Sequence, residues 1–317
     1  PRRGAGDMEQ GWLVVDIGGT KLSAAIFDGR RLSFQNTVST EAHRGREHVV
    51  KRLISLMDRT AGTAQIRRLT GIGVACPGPL SARRGLVIRA PMLGWESVPI
   101  ADIIAREFGC PVALENDANA AALGEYVYGA GRGASSMAYI TVSTGVGCGV
   151  VLQGKLLRGH HESAGELGHM VIRHGGRPCA CGRYGCLEGY ASGTAIGREA
   201  SRLLSARGQT ALTISAKDAA ALARQGDTQI RQAFADAGFY LGRGVAALLQ
   251  IVDPEKVVVG GSVARSFDLI ESGIREGAAS ESYWGRDEGW LVRAQLDGAS
   301  GLLGAAVLIS NYNKGGT

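Results

Sequence analysis

The stretch WLVVDIGGTKLSAAIFDG, residues 12–29, decides the fold. Trp12 to Ile17 is apolar and β-branched, Gly18-Gly19-Thr20-Lys21 interrupts it, and Leu22 to Phe27 resumes it, which predicts strand, glycine turn, strand. Asp28-Gly29 signals a further hairpin. The layout recurs in the second half of the chain. Met137 to Val142 predicts a strand, Ser143-Thr144-Gly145-Val146-Gly147 a turn, Gly149 to Leu152 a strand, and Gly154-Lys155 another turn. Two halves that each open on a hairpin around a glycine turn predict a duplicated α/β architecture, two lobes with a central cleft.

Working outward, Val49, Val50, Leu53, Ile54, Leu56 and Met57 recur at helical spacing and predict an amphipathic helix over His48 to Arg59. Gly71 to Cys76 reads as a buried strand ending in Pro77-Gly78-Pro79, Ile100 to Phe108 as helix, and Pro111 to Glu115 as strand. Asn116-Asp117 opens an alanine-rich helix, Ala118 to Tyr128, with Asp117 as its N-cap. Later, Thr228 towards Val252 predicts a long helix interrupted at Gly238, Gly242 and Gly244. Glu255 to Val259 predicts a strand, Gly260-Gly261-Ser262 a turn into another helix, and Leu302 to Ile309 a closing helix. The lobes are expected to divide as 12–117, completed by the closing helix over 302–311, and 118–301.

With 45% hydrophobic and 20% charged residues among 317, the chain can bury a sizeable core, and disorder is excluded. The 48 glycines show no three-residue period, which excludes a collagen-like chain. Basic residues outnumber acidic ones by 35 to 29, but they come in scattered pairs such as Arg67-Arg68 and Arg83-Arg84. Without clustering, this argues for a solvated surface and against nucleic acid as a partner. The uncharged stretch Gly133 to Gly154 is rich in serine, threonine and glycine and reads as strand-turn-strand, so no membrane partner is expected. Pro1 to Gln10 is polar, so no signal peptide is expected, and Met8 is a candidate native start. Cys76, Cys110 and Cys148 sit in apolar segments as expected buried free thiols, and cysteine usage points to the cytoplasm.

Asp16 to Lys21 has the residues a phosphate site needs: glycines for close backbone approach, exposed N–H groups, the Thr20 hydroxyl and the Lys21 ammonium. Asp16, at the strand end, is placed to hold magnesium through water. Walker spacing is absent, and a plain hairpin turn is the alternative. Ser143 to Gly149 supports the same backbone argument, and the pairing of two such turns strengthens both. Gly260-Gly261 is a third candidate nucleotide contact, or only a strand-to-helix turn. In Glu115-Asn116-Asp117, a carboxylate at a strand-to-helix junction can accept a hydroxyl proton, although spacing alone favours a cap.

His169, Cys179, Cys181 and Cys186 make a closed Cys₃His set of the kind that holds structural zinc, with Gly182 and Gly185 allowing the tight fold. With no open position, zinc is expected to orient His169, whose other ring nitrogen faces a ligand. Glu166 and Glu188 flank these ligands and suit sugar hydroxyls; the alternative is balancing Arg173, Arg177 and Arg183. His160, His161 and His174 are expected to be exposed.

DIGGTK at 16–21, ENDANAAALGE at 115–125, STGVGCG at 143–149, GELGH at 165–169 and CACGRYGCLEGYASG at 179–193 resemble the ROK family of bacterial sugar kinases, sugar-responsive repressors and relatives, from Trp12 to Ile309. The resemblance implies a duplicated actin/hexokinase-like (ribonuclease H-like) ATPase fold, ATP with Mg²⁺, and phosphoryl transfer to a hexose 6-hydroxyl. It makes Asp117 the general base, so that base leads cap, and Asn116 a sugar ligand. Glu166, His169 and Glu188 become sugar-hydroxyl contacts, and Gly78 a backbone contact. Asp16, Gly18, Gly19, Thr20, Lys21, Thr144 and Gly145 fall on the phosphate loops, and His169, Cys179, Cys181 and Cys186 on the zinc site. Two residues depart from the pattern: Met92, where many family glucokinases carry asparagine, and Cys148, where glycine is usual. Glucose is the first expectation, with N-acetylmannosamine or N-acetylglucosamine as the alternative. A sugar-sensing regulator of the same fold would need a helix-turn-helix domain before the first glycine turn, where 15 residues precede Asp16. A homodimer is expected, as is common in the family.

Overall fold

A computed structural model describes residues 11–66, 68–209, 213–283 and 285–313. The reading of Pro1 to Gln10, with Met8, and Arg67 of the first basic pair lie outside the described residues. The chain forms two compact units. One holds the chain up to Arg132, residues 158–164 and the chain from Gly298; the other holds residues 133–157 and 165–297.

The first unit begins with β1 (Gly11–Ile17), β2 (Lys21–Phe27) and β3 (Leu32–Ser39), an antiparallel meander around the predicted glycine turn. Then come α1 (Arg46–Thr63), β4 (Leu69–Cys76), the short strands β5 (Leu80–Ser81), β6 (Leu86–Ala90) and β7 (Trp95–Val98), α2 (Ile100–Phe108), β8 (Val112–Asn116) and α3 (Asp117–Tyr128). The main sheet runs β3-β2-β1-β4-β8, with β4 parallel to β1 and β8 parallel to β4. Strand alternation sends Leu13, Val15 and Ile17 into a core shared with Val49, Leu53, Leu56 and Met57 of α1. Val14 and Ala25 point to the opposite face. Asp16 pairs in register with Ala75, and Ala75 with Glu115, so the outer two of three parallel strands carry carboxylates level with one another at their carboxyl ends, on either side of an alanine. That end of a parallel sheet is where α/β folds bind ligands. The three-stranded sheet β5-β6-β7 is absent from the sequence reading.

The second unit contains β9 (Ser136–Val142), β10 (Val146–Leu152), β11 (Lys155–Leu156), α4 (Glu188–Ala191), α5 (Gly193–Ala206), α6 (Ala216–Arg224), α7 (Thr228–Ile251), β12 (Lys256–Gly260), α8 (Phe267–Glu281) and β13 (Leu291–Arg293). Its sheet, β11-β10-β9-β12-β13, repeats the pattern of the first: an antiparallel hairpin around a glycine turn, then parallel strands. The predicted interruptions of α7 do not occur. The helix is continuous, and its glycines serve packing: Gly238 and Gly242 against α8, and Gly244 against Leu187, whose Cδ2 would lie 2.5 Å from an added Cβ. A Cβ on Gly238 would sit 2.3 Å from Ile270 O, one on Gly242 2.2 Å from Ile274 O, and one on Gly277 of α8 2.0 Å from Phe239 O.

The last helix, α9 (Ser300–Asn313), belongs to the first unit. Leu302, Ala305 and Ala306 cover Val14 and Ala25. Gly124 of α3 and Gly304 of α9 let these two helices approach closely: a Cβ on Gly124 would lie 2.2 Å from Ser300 O, and one on Gly304 1.7 Å from Ala120 O. This packing keeps α3 in the first unit, and the division falls between Arg132 and Gly133 rather than near residue 118. Among the described residues, no helix is long and apolar enough to cross a membrane.

Candidate functional site

In the first unit, Gly18 N–H donates to Lys21 O at 2.9 Å and closes the turn after β1. Thr40, fully buried, braces it: its Oγ1 donates to Gly18 O at 2.6 Å and its N–H to Thr20 O at 3.0 Å. Gly19 has Met92 beside it, since a Cβ there would meet Met92 Cε at 2.9 Å. Thr20 and Lys21 are exposed. Burial first, then the charge of Asp117, raises the Asp16 carboxyl to a pKa of about 6, while Lys21 pulls it down. Cys76 completes this group. Burial, then Asp117 and Asp16, push its thiol well above the usual value, so it is inert.

Asn116 is the N-cap of α3, a correction to the expectation for Asp117. The Asn116 Oδ1 accepts from Ala118 N–H at 2.9 Å and Asn119 N–H at 3.2 Å. Asp117 is instead the first helical residue, and its Oδ1 accepts from Ala118 N–H at 2.8 Å. The cap shifts by one because Asn116 keeps the extended backbone of β8 (φ −60°, ψ 143°) that a cap residue needs. Asn116 Nδ2 lies 3.5 Å from Gly78 O. Gly78 has φ +93°, and a Cβ there would lie 2.1 Å from Arg89 O, so the close approach requires glycine. Asp16, Lys21, Gly78, Asn116 and Asp117 therefore share one end of the sheet.

In the second unit, the turn after β9 is held by Ser143 N–H to Gly145 O at 2.9 Å, Gly193 N–H to Ser143 O at 2.7 Å and Thr194 Oγ1 to Thr144 O at 2.8 Å. Glu188, at the start of α4, reaches this turn: its Oε2 accepts from Val146 N–H at 3.0 Å. A Cβ on Gly145 would lie 2.4 Å from the same oxygen, so glycine makes room for the carboxylate. The other carboxylate oxygen, Oε1, lies 3.6 Å from Cys179 Sγ. Glu188 thus joins the cysteine loop to the glycine turn after β9 rather than balancing an arginine; Arg177 pairs with Glu199 at 3.3 Å.

The ligand atoms of His169, Cys179, Cys181 and Cys186 lie within 4.8 Å of one another. Cys179 Sγ is 3.6 Å from His169 Nδ1, and Cys181 Sγ is 3.7 Å from Cys186 Sγ. Three thiols and an imidazole at these separations fit a tetrahedral soft-ligand ion and are compatible with structural zinc. The loop closes as expected, with Gly182 at φ +87° and Gly185 at φ +80°, where a Cβ would lie 1.8 Å from Arg173 O. His169 Nε2 lies 4.0 Å from Glu166 Oε2, so the two ring nitrogens face the cysteines and the carboxylate respectively.

Packing accounts for Gly260 and Gly261: added Cβ atoms would lie 2.2 Å from the Tyr139 hydroxyl and 2.4 Å from Val142 O. Their neighbour Ser262 is 3.1 Å from Ser143, oxygen to oxygen, which places this turn beside the glycine turn after β9. Cys148 is buried, and burial pushes its thiol up to about 12; Cys110 is only half-buried. His160, His161 and His174 are exposed, as expected. The sequence reading missed Thr40 and Arg158. Arg158 Nε donates to Glu115 Oε2 at 2.7 Å. A basic residue far along the chain from Glu115 offers no local signal of this partnership.

The model of the ROK family matches residues 12–312. A glucokinase from Halalkalibacterium halodurans is 35% identical over 282 residues, covering 85% of this chain and 86% of that protein. A ROK hexokinase from Thermus thermophilus superposes with a TM-score of 0.81 at 37% identity, covering 96% of this chain and all of that one. A ROK family glucokinase from Streptomyces griseus, in complex with glucose and AMPPNP, gives a TM-score of 0.84 at 33% identity over 94% of this chain and 98% of that one. The duplicated sheets, the paired glycine turns and the Cys₃His loop agree with this likeness along nearly the whole length, and the chain belongs to the ROK family.

Proposed function

We propose that this protein is an ATP-dependent hexose kinase that transfers the γ-phosphoryl group of ATP to the 6-hydroxyl of a hexose. The observation that carries the reading is the meeting of Asp16, Asp117 and Lys21 at the carboxyl end of the first sheet. Phosphoryl transfer asks for a cation, a proton acceptor and charge-neutralising donors, with little covalent chemistry from the protein. Asp117 accepts the 6-hydroxyl proton as that oxygen bonds to phosphorus and the bond to the β-phosphate oxygen breaks. Asn116 is suited to a sugar hydroxyl because its Oδ1 is spent on capping, so Nδ2 is the group that reaches out. The Gly78 backbone, Glu166, His169 Nε2 and Glu188 bind the remaining hydroxyls.

Both glycine turns serve the triphosphate, through the backbone N–H groups of Gly19 and Thr20 and of Thr144 and Gly145, with the Thr20 hydroxyl and the Lys21 ammonium, while Gly18, whose N–H is spent on Lys21 O, shapes the first turn. Gly260-Gly261 contributes to the nucleotide site through its place beside Ser143. Asp16, partly covered and pressed by a second carboxylate, fits a divalent cation held through water; Mg²⁺ bound there would offset charge on the transferring phosphate. Zinc held by His169, Cys179, Cys181 and Cys186 would fix the cysteine loop and the direction of His169 Nε2.

Glucose is the first candidate acceptor, supported by the glucokinase relatives. N-acetylmannosamine stands second because Met92, beside the first phosphate turn, offers a sugar hydroxyl no hydrogen bond. The deciding experiment is ADP release with ATP, Mg²⁺ and a panel of hexoses and N-acetylhexosamines. Turnover on one sugar, abolished by Asp117→Ala, is the expected result. Silence across the panel from folded, zinc-loaded protein overturns the kinase reading and favours a sugar sensor.

A further inference from the structure

Residues 158–164 follow β11 in sequence but belong to the first unit. They close on themselves, with Ala164 N–H donating to Arg158 O at 3.0 Å. Two anchors tie them down. Glu162 accepts from Ser81 Oγ at 2.7 Å and from Arg83 N–H at 3.1 Å, while Arg83 donates to His160 O at 2.7 Å. At the other end, Arg158 Nε donates to Glu115 Oε2 at 2.7 Å.

Glu115 is nearly sealed: its side chain is 3% exposed, against 33% for Arg158. Its second oxygen, Oε1, accepts from Asn116 N–H and from Asn119 Nδ2, both at 3.0 Å. Asn116 in turn accepts the Ala118 and Asn119 amides and reaches towards Gly78 O. One carboxylate therefore holds the strand-to-helix junction that carries Asp117, and one guanidinium holds that carboxylate. A sealed carboxylate keeps its place only while its charge is compensated, and removing a single partner is far costlier than removing both.

We propose that Arg158 is a positioning residue for phosphoryl acceptance: through Glu115 it sets the backbone of Asn116 and hence the direction in which Asp117 meets the acceptor hydroxyl. Arg158 touches neither substrate in this scheme. The inference rests on the hexose-kinase reading for its kinetic consequence and on the hydrogen-bond network alone for its structural one, so the two are read separately.

The test compares wild type, Arg158→Met, Arg158→Lys and the double variant Glu115→Gln/Arg158→Met. Arg158→Met is expected to lower kcat by about 10- to 100-fold, the scale of a misplaced catalytic group, with the sugar KM within about threefold. Hydrogen exchange at the Asn116, Ala118 and Asn119 amides is expected to accelerate, while the α1 and α8 amides keep their protection. The double variant, with no unpaired buried charge, is expected to recover at least about tenfold of the lost kcat and the slow exchange. Arg158→Lys is expected to fall between, since an ammonium reaches Glu115 as a single point donor. Wild-type kcat and exchange in Arg158→Met overturns the inference, as does a loss that the double variant fails to repair. If the single variant does not fold, Arg158→Lys and the double variant carry the same comparison. If wild type itself turns over no hexose, the functional reading fails, and the exchange data alone decide whether Arg158 sets the junction.

Discussion

Asp117 lies close enough to Asp16 that its charge, after burial, is the second cause lifting the Asp16 carboxyl to a pKa of about 6. The charge of Asp117, on α3, thus opposes the ionisation of Asp16, on β1, at the sheet end, with Lys21 as the counterweight. Such opposition is relieved when a cation arrives, and it makes the stability of the metal-free protein depend on pH.

Between 3.8 and about 6 the folded protein retains a proton on Asp16 that the unfolded chain releases, so stability falls as pH rises through that window and the cost is complete above it. Asp16→Asn carries no such cost. Without divalent metal, its Tm is expected to exceed that of wild type at about pH 8, with the gap closing as pH falls to about 4. A gap that stays constant across pH contradicts this account.

Asp117→Asn is expected to lower kcat by at least roughly 10²-fold with the sugar Kd within about threefold. The helix should persist, because Asn116 supplies its cap. Near-normal turnover in a variant with unchanged circular dichroism removes Asp117 from the role of base.

Metal analysis of purified protein is expected to give about one zinc per chain, from the Cys₃His donor set. Cys181→Ser should lose that zinc and lower Tm by more than about 5 °C, since metal-binding energy is folding energy. Unchanged melting after verified zinc loss would show that the loop folds without metal.

Met92→Asn is expected to raise kcat/KM for glucose relative to N-acetylmannosamine by about tenfold, the scale of one hydrogen bond gained against one acceptor. An unchanged ratio places sugar choice elsewhere.

Two glycine substitutions should have opposite signs. Gly304→Ala puts a Cβ 1.7 Å from Ala120 O, and the helices must separate, costing at least about 2 kcal/mol by denaturant unfolding. Gly62→Ala in α1 meets nothing within 4 Å and should stabilise by roughly 0.5 kcal/mol through helix propensity.

Much of this architecture was legible because its signals are local. The apolar, β-branched run of β1, the paired glycine turns and the clustering of His169, Cys179, Cys181 and Cys186 each depend on neighbours in sequence. The sheet β5-β6-β7, the helices α5 and α6, and the last strand β13 went unread, since their short or mixed runs gain meaning only from what packs against them. The glycines of α7 show the limit most plainly. In sequence they look like breaks, yet Gly238 and Gly242 are where Ile270 O and Ile274 O of α8 press against a continuous helix, and Gly244 is where Leu187 does.

What the sequence by itself determined is the chemistry on offer: paired glycine turns, a carboxylate at a strand-to-helix junction, a Cys₃His donor set and a duplicated strand order. What only the tertiary structure decided is which groups hold others in place. Asn116 rather than Asp117 caps α3, α3 joins the first unit through α9, Glu188 links the cysteine loop to the Val146 amide, and Arg158 neutralises Glu115. Caps are chosen by a single residue's backbone angles, and ion pairs by approach between segments distant in the chain. Neither quantity is encoded in the spacing of residue types; both follow from how strands and helices close around a common core.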